Sequence, residues 1–310
     1  MKASLFAIDG KKMKTVDLPM QFEEDVRPDL IMRSFLASQS AGRQAYGAYI
    51  RAGQRSSSKL SRRRRDYKTA YGLGVSRVPR KTLWHRGTQF GWVGAQSPAT
   101  VGGRRAHPPK AYSILTKKIN KQEKRKALRS ALAATAVLEL VKKRGHQLSE
   151  LPLVLDNSIE NLAKTKQVEA MLKQLGLGNE LLRTQQLKVR PGRGKMRGRK
   201  YKRKTGPLLV VSTNTPIIKA AHNIPGVQVT TVDALNIHLL APGGIPGRLT
   251  MFSEKALERM RQEKLFTNDH IMPEKEKKIH ALREKKTAPA IKEEPKPVKK
   301  AAKQVTKAKT

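Results

Sequence analysis

The stretch from Arg51 to Lys110 constrains this chain more than any other. Its sixty residues hold fifteen Lys or Arg against one acid, Asp66, together with eight Gly and four Pro. Such a segment has too few apolar side chains to bury a core and too many backbone breakers to extend one regular element. Loops of this length inside a compact domain either have a job or are disordered. Plain disorder is poor in aromatic residues. Here Tyr67, Tyr71, Trp84, Phe90 and Trp92 are scattered among the charges, and both tryptophans of the protein are included. The composition therefore predicts a segment ordered by a partner of opposite charge.

The whole chain points the same way. It has 310 residues, 65 Lys plus Arg and 24 Asp plus Glu, for a formal net charge of +41. Self-repulsion of that size weakens a compact state, and a polyanion relieves it. An acidic membrane surface is the rival partner. No lipid-anchor motif or strong basic amphipathic helix is present, and the apolar runs are far shorter than a bilayer span, so no membrane is expected. The N-terminal MKASLFAIDGKK has only Leu5 to Ile8 as an apolar block before Asp9, too short for a signal peptide. The absence of cysteine excludes disulfides and thiolate metal sites. A cytosolic protein is expected.

Hydrophobic residues make up 38%, enough for one core with basic extensions. Residues 4–8 and 14–18 read as strands around an Asp9-Gly10 turn. Pro28 stands where a helix begins, ahead of Leu30, Ile31 and Phe35. A helix capped by Asn120, with Glu123 in the capping-box place, runs through Leu128, Leu132, Thr135 and Leu138 and stops at Gly145. Beyond it, strands at 151–155, 208–212, 227–232 and 248–252 alternate with helices at 165–175, 217–221 and 234–240. Ser253 caps a last helix that runs through Glu263. That alternation predicts an α/β fold, a mostly parallel sheet with helices on its faces. The domain expectation is a globular unit over 1–264, interrupted by the extended loop 51–110. A basic low-complexity tail over 265–310 is expected to be disordered, because its Lys, Glu, Ala and Pro cannot bury enough area to offset ordering.

A second basic excursion lies inside the alternating region. Residues 181–204 hold eleven Lys or Arg and no acid, and end in GRGKMRGRKYKRK. A phosphate-binding P-loop needs Lys followed by Ser or Thr to reach magnesium, and here Lys195 is followed by Met196. A dinucleotide fingerprint needs G-x-G-x-x-G after a strand. Gly192, Gly194 and Gly198 are spaced one residue too long, and the apolar strand at 208–211 comes after them. The seven histidines show no ligand spacing with a nearby carboxylate, so no metal site is expected. Ser97 and Thr100 lack a base beside them. Asp156, Asp233 and Asp269 sit at element boundaries, where capping is the common role. No catalytic residue and no cofactor is expected.

Nucleic acid is the remaining class of partner. Arg62, Arg63, Arg64 and Arg65 taken alone fit a solvated face or a localisation signal as well. Beside Tyr67 and Tyr71, in a Gly-rich segment, they fit phosphate contact and base stacking. RNA is favoured over DNA because no groove-reading unit such as a helix-turn-helix or zinc finger is present.

Five motifs then stand in order: RPDLI (27–31), GGRRAHPPK (102–110), RPGRGKMRGRKYKRKTGPLLV (190–210), NIPGVQV (223–229) and LNIHLLAPGGIPGR (235–248). Over about residues 3–263 the chain resembles the universal fourth protein of the large ribosomal subunit, in its archaeal and eukaryotic form. The resemblance implies a three-layer α/β/α domain with a long internal loop entering ribosomal RNA, a structural role early in subunit assembly, and no enzymatic activity. The expected RNA-binding residues in the loop are Arg62 to Arg65, Trp84, Arg86, Trp92, Arg104, Arg105 and His107. In the second stretch they are Arg190, Arg193, Lys195, Arg197, Arg199, Lys200, Lys202 and Arg203. The family's loop tip lines the polypeptide exit tunnel, and the matching tip here is Arg77, Val78, Pro79 and Arg80. Implied partners are large-subunit ribosomal RNA, neighbouring ribosomal proteins and the nascent polypeptide. The implied location is the cytoplasm, in the large subunit. An RNA-modifying enzyme on a nucleotide-binding α/β fold is the alternative. It would need a cofactor loop after a strand. A nonspecific chromatin-like protein would not need a substantial α/β core. The Lys/Ala/Pro tail matches no motif of the family.

Overall fold

The computed structural model describes residues 1–148 and 150–269. The chain opens with an antiparallel hairpin, β1 (Lys2–Phe6) and β2 (Lys12–Asp17), around the expected Asp9-Gly10 turn. Helix α1 (Pro28–Ala41) follows, with Pro28 in its first turn, where the missing N–H costs no hydrogen bond. The basic segment contains a second hairpin, β3 (Arg80–Arg86) and β4 (Gln89–Gly94). Then come α2 (Lys121–Ala136), α3 (Leu138–Lys143), β5 (Leu153–Leu155), α4 (Thr165–Gln174) and α5 (Gly178–Gln185). A small hairpin, β6 (Leu187–Val189) and β7 (Tyr201–Arg203), precedes β8 (Leu208–Val211). The chain continues through α6 (Ile217–His222), β9 (Gln228–Thr231), α7 (Ile237–Leu240), β10 (Thr250–Ser253) and α8 (Glu254–Gln262).

Six strands form one sheet in the order β2-β1-β5-β10-β8-β9, parallel throughout except for β2. The expected α/β architecture is the one observed. Strands such as Leu208–Val211 are apolar at every position because both faces are covered. Leu208, Val210, Val154, Phe252 and Leu5 face one apolar cluster, closed by α2 and α8. Leu209, Val211, Leu153, Leu155 and Met251 face the other, closed by α4 and α6. Neither cluster draws on residues 51–110 or 187–204. Leu265 belongs to the first, and Gln21 Nε2 donates to its carbonyl at 2.8 Å. The low-complexity run at 270–310 lies outside the described residues.

The helix expected from Asn120 to Gly145 is two helices. Val137, with φ −89° and ψ 108°, leaves the helical region between them. Two residues earlier the Thr135 hydroxyl donates to the Leu132 carbonyl at 2.6 Å, a back-bond that bends helices. Asn120 holds the N-cap position, but its side chain makes no capping bond. Glu123 does not reach back to it and instead meets Arg33 of α1 at 3.5 Å. Ser253 caps α8 as expected, accepting from the Ala256 N–H at 3.2 Å.

Candidate nucleic-acid interface

The 51–110 segment is cross-braced. Its outgoing and returning limbs run side by side: the Ala48 N–H donates to Pro109 at 2.9 Å, and Gln96 Nε2 donates to the Ser56 carbonyl at 2.7 Å. Gly53 lies so close to the returning limb that a Cβ there would come 2.5 Å from the Arg104 Cα. Only glycine permits that approach. Arg104, Arg105 and His107 are exposed along the returning limb.

Farther out, the four-arginine run is wrapped in a turn organised by the segment's one acid. Asp66 accepts from the Ser61 hydroxyl at 2.5 Å and from the Tyr67 N–H at 2.8 Å, and Thr69 donates to the Arg63 carbonyl at 2.7 Å. The Ser61 hydrogen bond, followed by that from Tyr67, lowers the Asp66 pKa. Its carboxylate is thus engaged in shaping the turn. Arg62, Arg63, Arg64 and Arg65 all point to solvent.

Beyond this turn the β3–β4 hairpin carries a ladder of rings and cations. Phe90 stacks on Trp92 with centroids 5.3 Å apart and meets Tyr67 edge-on at 5.2 Å. Lys68 covers Phe90 at 5.7 Å, and the Arg80 guanidinium covers Trp92 at 5.2 Å. Trp92 is therefore half-buried within the hairpin, while Trp84 is 58% exposed. Trp84 sits across from Gly91 in the register, and a Cβ at Gly91 would overlap its indole. Glycine at 91 lets the ring lie flat on the neighbouring strand. Arg86 flanks the exposed turn at Gly87-Thr88. Arg77 is exposed. Val78, Pro79 and Arg80 are half-buried, tied at the hairpin's base by hydrogen bonds from Ala95 to Pro79 at 2.8 Å and from Lys59 to Arg80 at 3.2 Å.

The second basic stretch is also a hairpin. Lys188 stands directly opposite Lys202, Leu187 opposite Arg203, and Val189 opposite Tyr201. Like charges facing across a ladder destabilise it. Between the strands the chain makes a compact knot: Arg190 Nε donates to the Arg199 carbonyl at 3.2 Å, and the Arg199 N–H donates to Gly194 at 3.1 Å. Arg193, Lys195, Arg197, Arg199, Lys200, Lys202 and Arg203 are exposed, and Arg190 is half-buried. Lys188, Lys204 and Lys68 also belong to these surfaces, although they were not among the expected contact residues. For Lys188 the signal was in the sequence: LKV and YKR alternate on either side of a Gly-rich turn.

Among the described residues, no Lys or Arg of 51–110 or 187–204 forms an ion pair. In the globular part Arg27, Arg129, Arg183 and Arg259 all pair with carboxylates. The crevice at the carboxyl ends of the strands, where doubly wound folds hold nucleotides, is occupied by the protein's own groups. Buried Glu160 accepts from the Ser212 N–H and hydroxyl, both at 2.8 Å, and from the Ser253 hydroxyl at 2.6 Å. Arg259 donates to the Ser212 carbonyl beside it. No group of three or more His, Asp or Glu that could hold a metal occurs among the described residues, and none of their helices is long and apolar enough to cross a membrane.

The structure is a three-layer α/β body bearing two cationic hairpins whose Lys and Arg form no ion pair among the described residues. Residues 16–263 match the profile of the Ribosomal protein L4/L1 family. The chain is 47% identical over 268 residues to the large ribosomal subunit protein uL4 of Nanoarchaeum equitans, covering 86% of this chain and 100% of that one. It is 44% identical over 265 residues to the uL4 of Methanocaldococcus jannaschii, covering 84% and 99%, and 42% identical over 267 residues to that of Pyrobaculum aerophilum, covering 84% and 89%. The chain belongs to the ribosomal protein L4/L1 family, which is structural and not enzymatic.

Proposed function

We propose that this protein is built into the large ribosomal subunit of the cytoplasmic ribosome and binds large-subunit ribosomal RNA through residues 51–110 and 187–204. The observation that carries this reading is the distribution of charge. Arg27, Arg129, Arg183 and Arg259 of the globular body pair with carboxylates, whereas among the described residues no cation of the two hairpins does, and Lys188 stands opposite Lys202. Phosphate is the group that relieves such repulsion. Exposed Arg62 to Arg65, Arg86, Arg104, Arg105 and His107 contact phosphate or base edges, and Trp84 supplies a stacking face. Trp92 acts by holding Arg80 and Phe90 in place. Arg190 to Arg203 follow a second stretch of RNA.

The body and its neighbouring ribosomal proteins form the outer part of the site, and binding supports early assembly of the subunit. The loop reaches the exit tunnel and presents Arg77, Val78, Pro79 and Arg80 toward the nascent polypeptide, with Arg77 the most accessible of the four. The test is a cross-linker at position 77 or 78 in translating ribosomes. Capture of nascent polypeptide supports the placement. Capture of solvent-side proteins alone refutes it.

A further inference from the structure

A cavity of about 590 Å³ opens at the root of the β6–β7 hairpin, between α3, the turn at 242–248 and the chain leaving β7. Pro28, Leu140, Ile245 and Pro246 give it an apolar floor, and Lys143, Arg144, Arg183 and Lys204 give it a cationic wall. No acid lines it. A second cavity of about 540 Å³ lies along the hairpin itself, beside Leu187, Lys188 and Lys202, and shares Lys204 and Thr205 with the first. The two recesses lie side by side, one along the hairpin and the other at its root.

The charges in the recess at the root are unequal. Arg183 is answered by buried Glu180 at 2.5 Å. Arg144 donates only to carbonyls, those of Ile245 and of Pro242. Burial, and then the neighbouring Arg183, lower its pKa. Lys143 and Lys204 have no carboxylate partner among the described residues. An anion seated here would relieve that imbalance. The apolar floor asks for more than an anion: it fits a flat, poorly hydrated group joined to one. A paired RNA helix offers no such group at this depth, whereas an unpaired nucleotide carries both a ring and a phosphate. An acidic peptide would satisfy the cations and leave the floor bare.

We propose that this recess takes one unpaired nucleotide of the RNA bound by the β6–β7 hairpin. Its base lies on Leu140 and Ile245, and its phosphate is held by Lys143 and Lys204. The inference rests on the RNA-binding reading above and adds a position where a single base is extracted and held.

The test uses the full chain bound to transcribed large-subunit RNA carrying 4-thiouridine. After irradiation, nucleotide-bearing peptides are identified by mass spectrometry. Peptides containing Leu140 to Arg144 or Ile245-Pro246 should carry a nucleotide, alongside those from 190–203. Ile245 is 60% exposed, so Ile245→Asp leaves the core intact. It should cut the recess cross-links at least tenfold while the hairpin cross-links persist. Replacing Lys143 and Lys204 with Ala should lower the log–log salt slope of binding by about 0.7, the contribution of one single-strand phosphate. Hairpin cross-links without any at the recess, or recess peptides joined to protein instead of RNA, would overturn the nucleotide pocket and leave RNA binding standing. No cross-link at the recess, at 190–203 or anywhere in 51–110 would overturn RNA binding itself.

Discussion

Glu180 offers the sharpest perturbation of the hairpin's anchorage. It is fully buried on α5, with His146 Nδ1 2.6 Å from one carboxylate oxygen. Arg183 donates to both oxygens, at 2.5 and 2.8 Å, and its Nη2 also donates to the Thr205 carbonyl at 2.7 Å, where the chain leaves β7. Burial pushes the carboxyl up. Hydrogen bonds from His146 and Arg183, with the charges of both, outweigh burial and hold it at about 2 against an ordinary 4.5. That difference of 2.5, at about 1.4 kcal/mol for each factor of ten in proton affinity, is worth roughly 3 kcal/mol. A depressed carboxyl stabilises the fold above its unfolded pKa and loses that effect as pH falls toward the folded one. The contribution is therefore complete at pH 7, about 2 kcal/mol at pH 3.5, and small near pH 2. Glu180→Gln leaves Arg183 without its counter-charge, a loss of the order known for broken buried pairs. Urea unfolding of the full chain should show the variant about 3 kcal/mol less stable at pH 7, with the gap narrowing to about 2 kcal/mol at pH 3.5. A gap under 1 kcal/mol at pH 7, or one that widens as pH falls, would refute the reasoning.

Other expectations test the interface. Changing Arg193, Lys195, Arg197 and Arg199 together to Ala should reduce the log–log salt slope for large-subunit RNA by about 3 if all four meet phosphate, with circular dichroism unchanged; an unaltered slope rules the hairpin out as a contact. Trp84→Ala should weaken RNA binding by about 1–3 kcal/mol, the worth of a stacked base, and Gly91→Val should do nearly the same by displacing the indole. If Gly91→Val leaves both tryptophan emission and affinity unchanged, Trp84 does not lie on Gly91. Deleting Gly72 to Gly94 removes no member of either core cluster, so the body should unfold at the same urea concentration while late subunit maturation or nascent-chain stalling changes; a loss of more than about 0.5 kcal/mol in unfolding free energy would show that the loop supports the core.

The body of the fold was legible because its strands and helices are set by nearest neighbours. Leu208–Val211 and Leu153–Leu155 are apolar at every position, and Val168, Met171 and Leu172 repeat at helical spacing. Gly176 then takes a φ of 78° that a helix cannot continue through. The break at Val137 was hidden because both halves keep the same buried stripe, from Leu132 to Val141. Helix α5 was hidden as well. Its charge and polarity merged with the basic run that follows, and the burial of its one acid, Glu180, depends on His146, 34 residues earlier, as well as on Arg183 of the same helix.

The interface was legible as composition and not as structure. Eight glycines and fifteen cations in 51–110 suggest an anionic partner but obscure the internal braces, because the sequence does not distinguish two uses of glycine. Gly53 and Gly91 serve contact between one stretch of the loop and another, while nothing stands within 4 Å of a Cβ built at Gly72, Gly74 or Gly87. The same holds for aromatics: Trp92, Phe90 and Tyr67 hold one another, and Trp84 faces solvent. These braces bear on how the loop would meet the RNA proposed for it. Ordering a free chain costs on the order of 1 kcal/mol per residue, which binding would have to offset for every residue ordered. A loop already held by Asp66, by the ring ladder and by its paired limbs presents its cations with much of that cost met in folding. It can therefore bind as a shaped element, and its electrostatic attraction goes mainly into affinity and register.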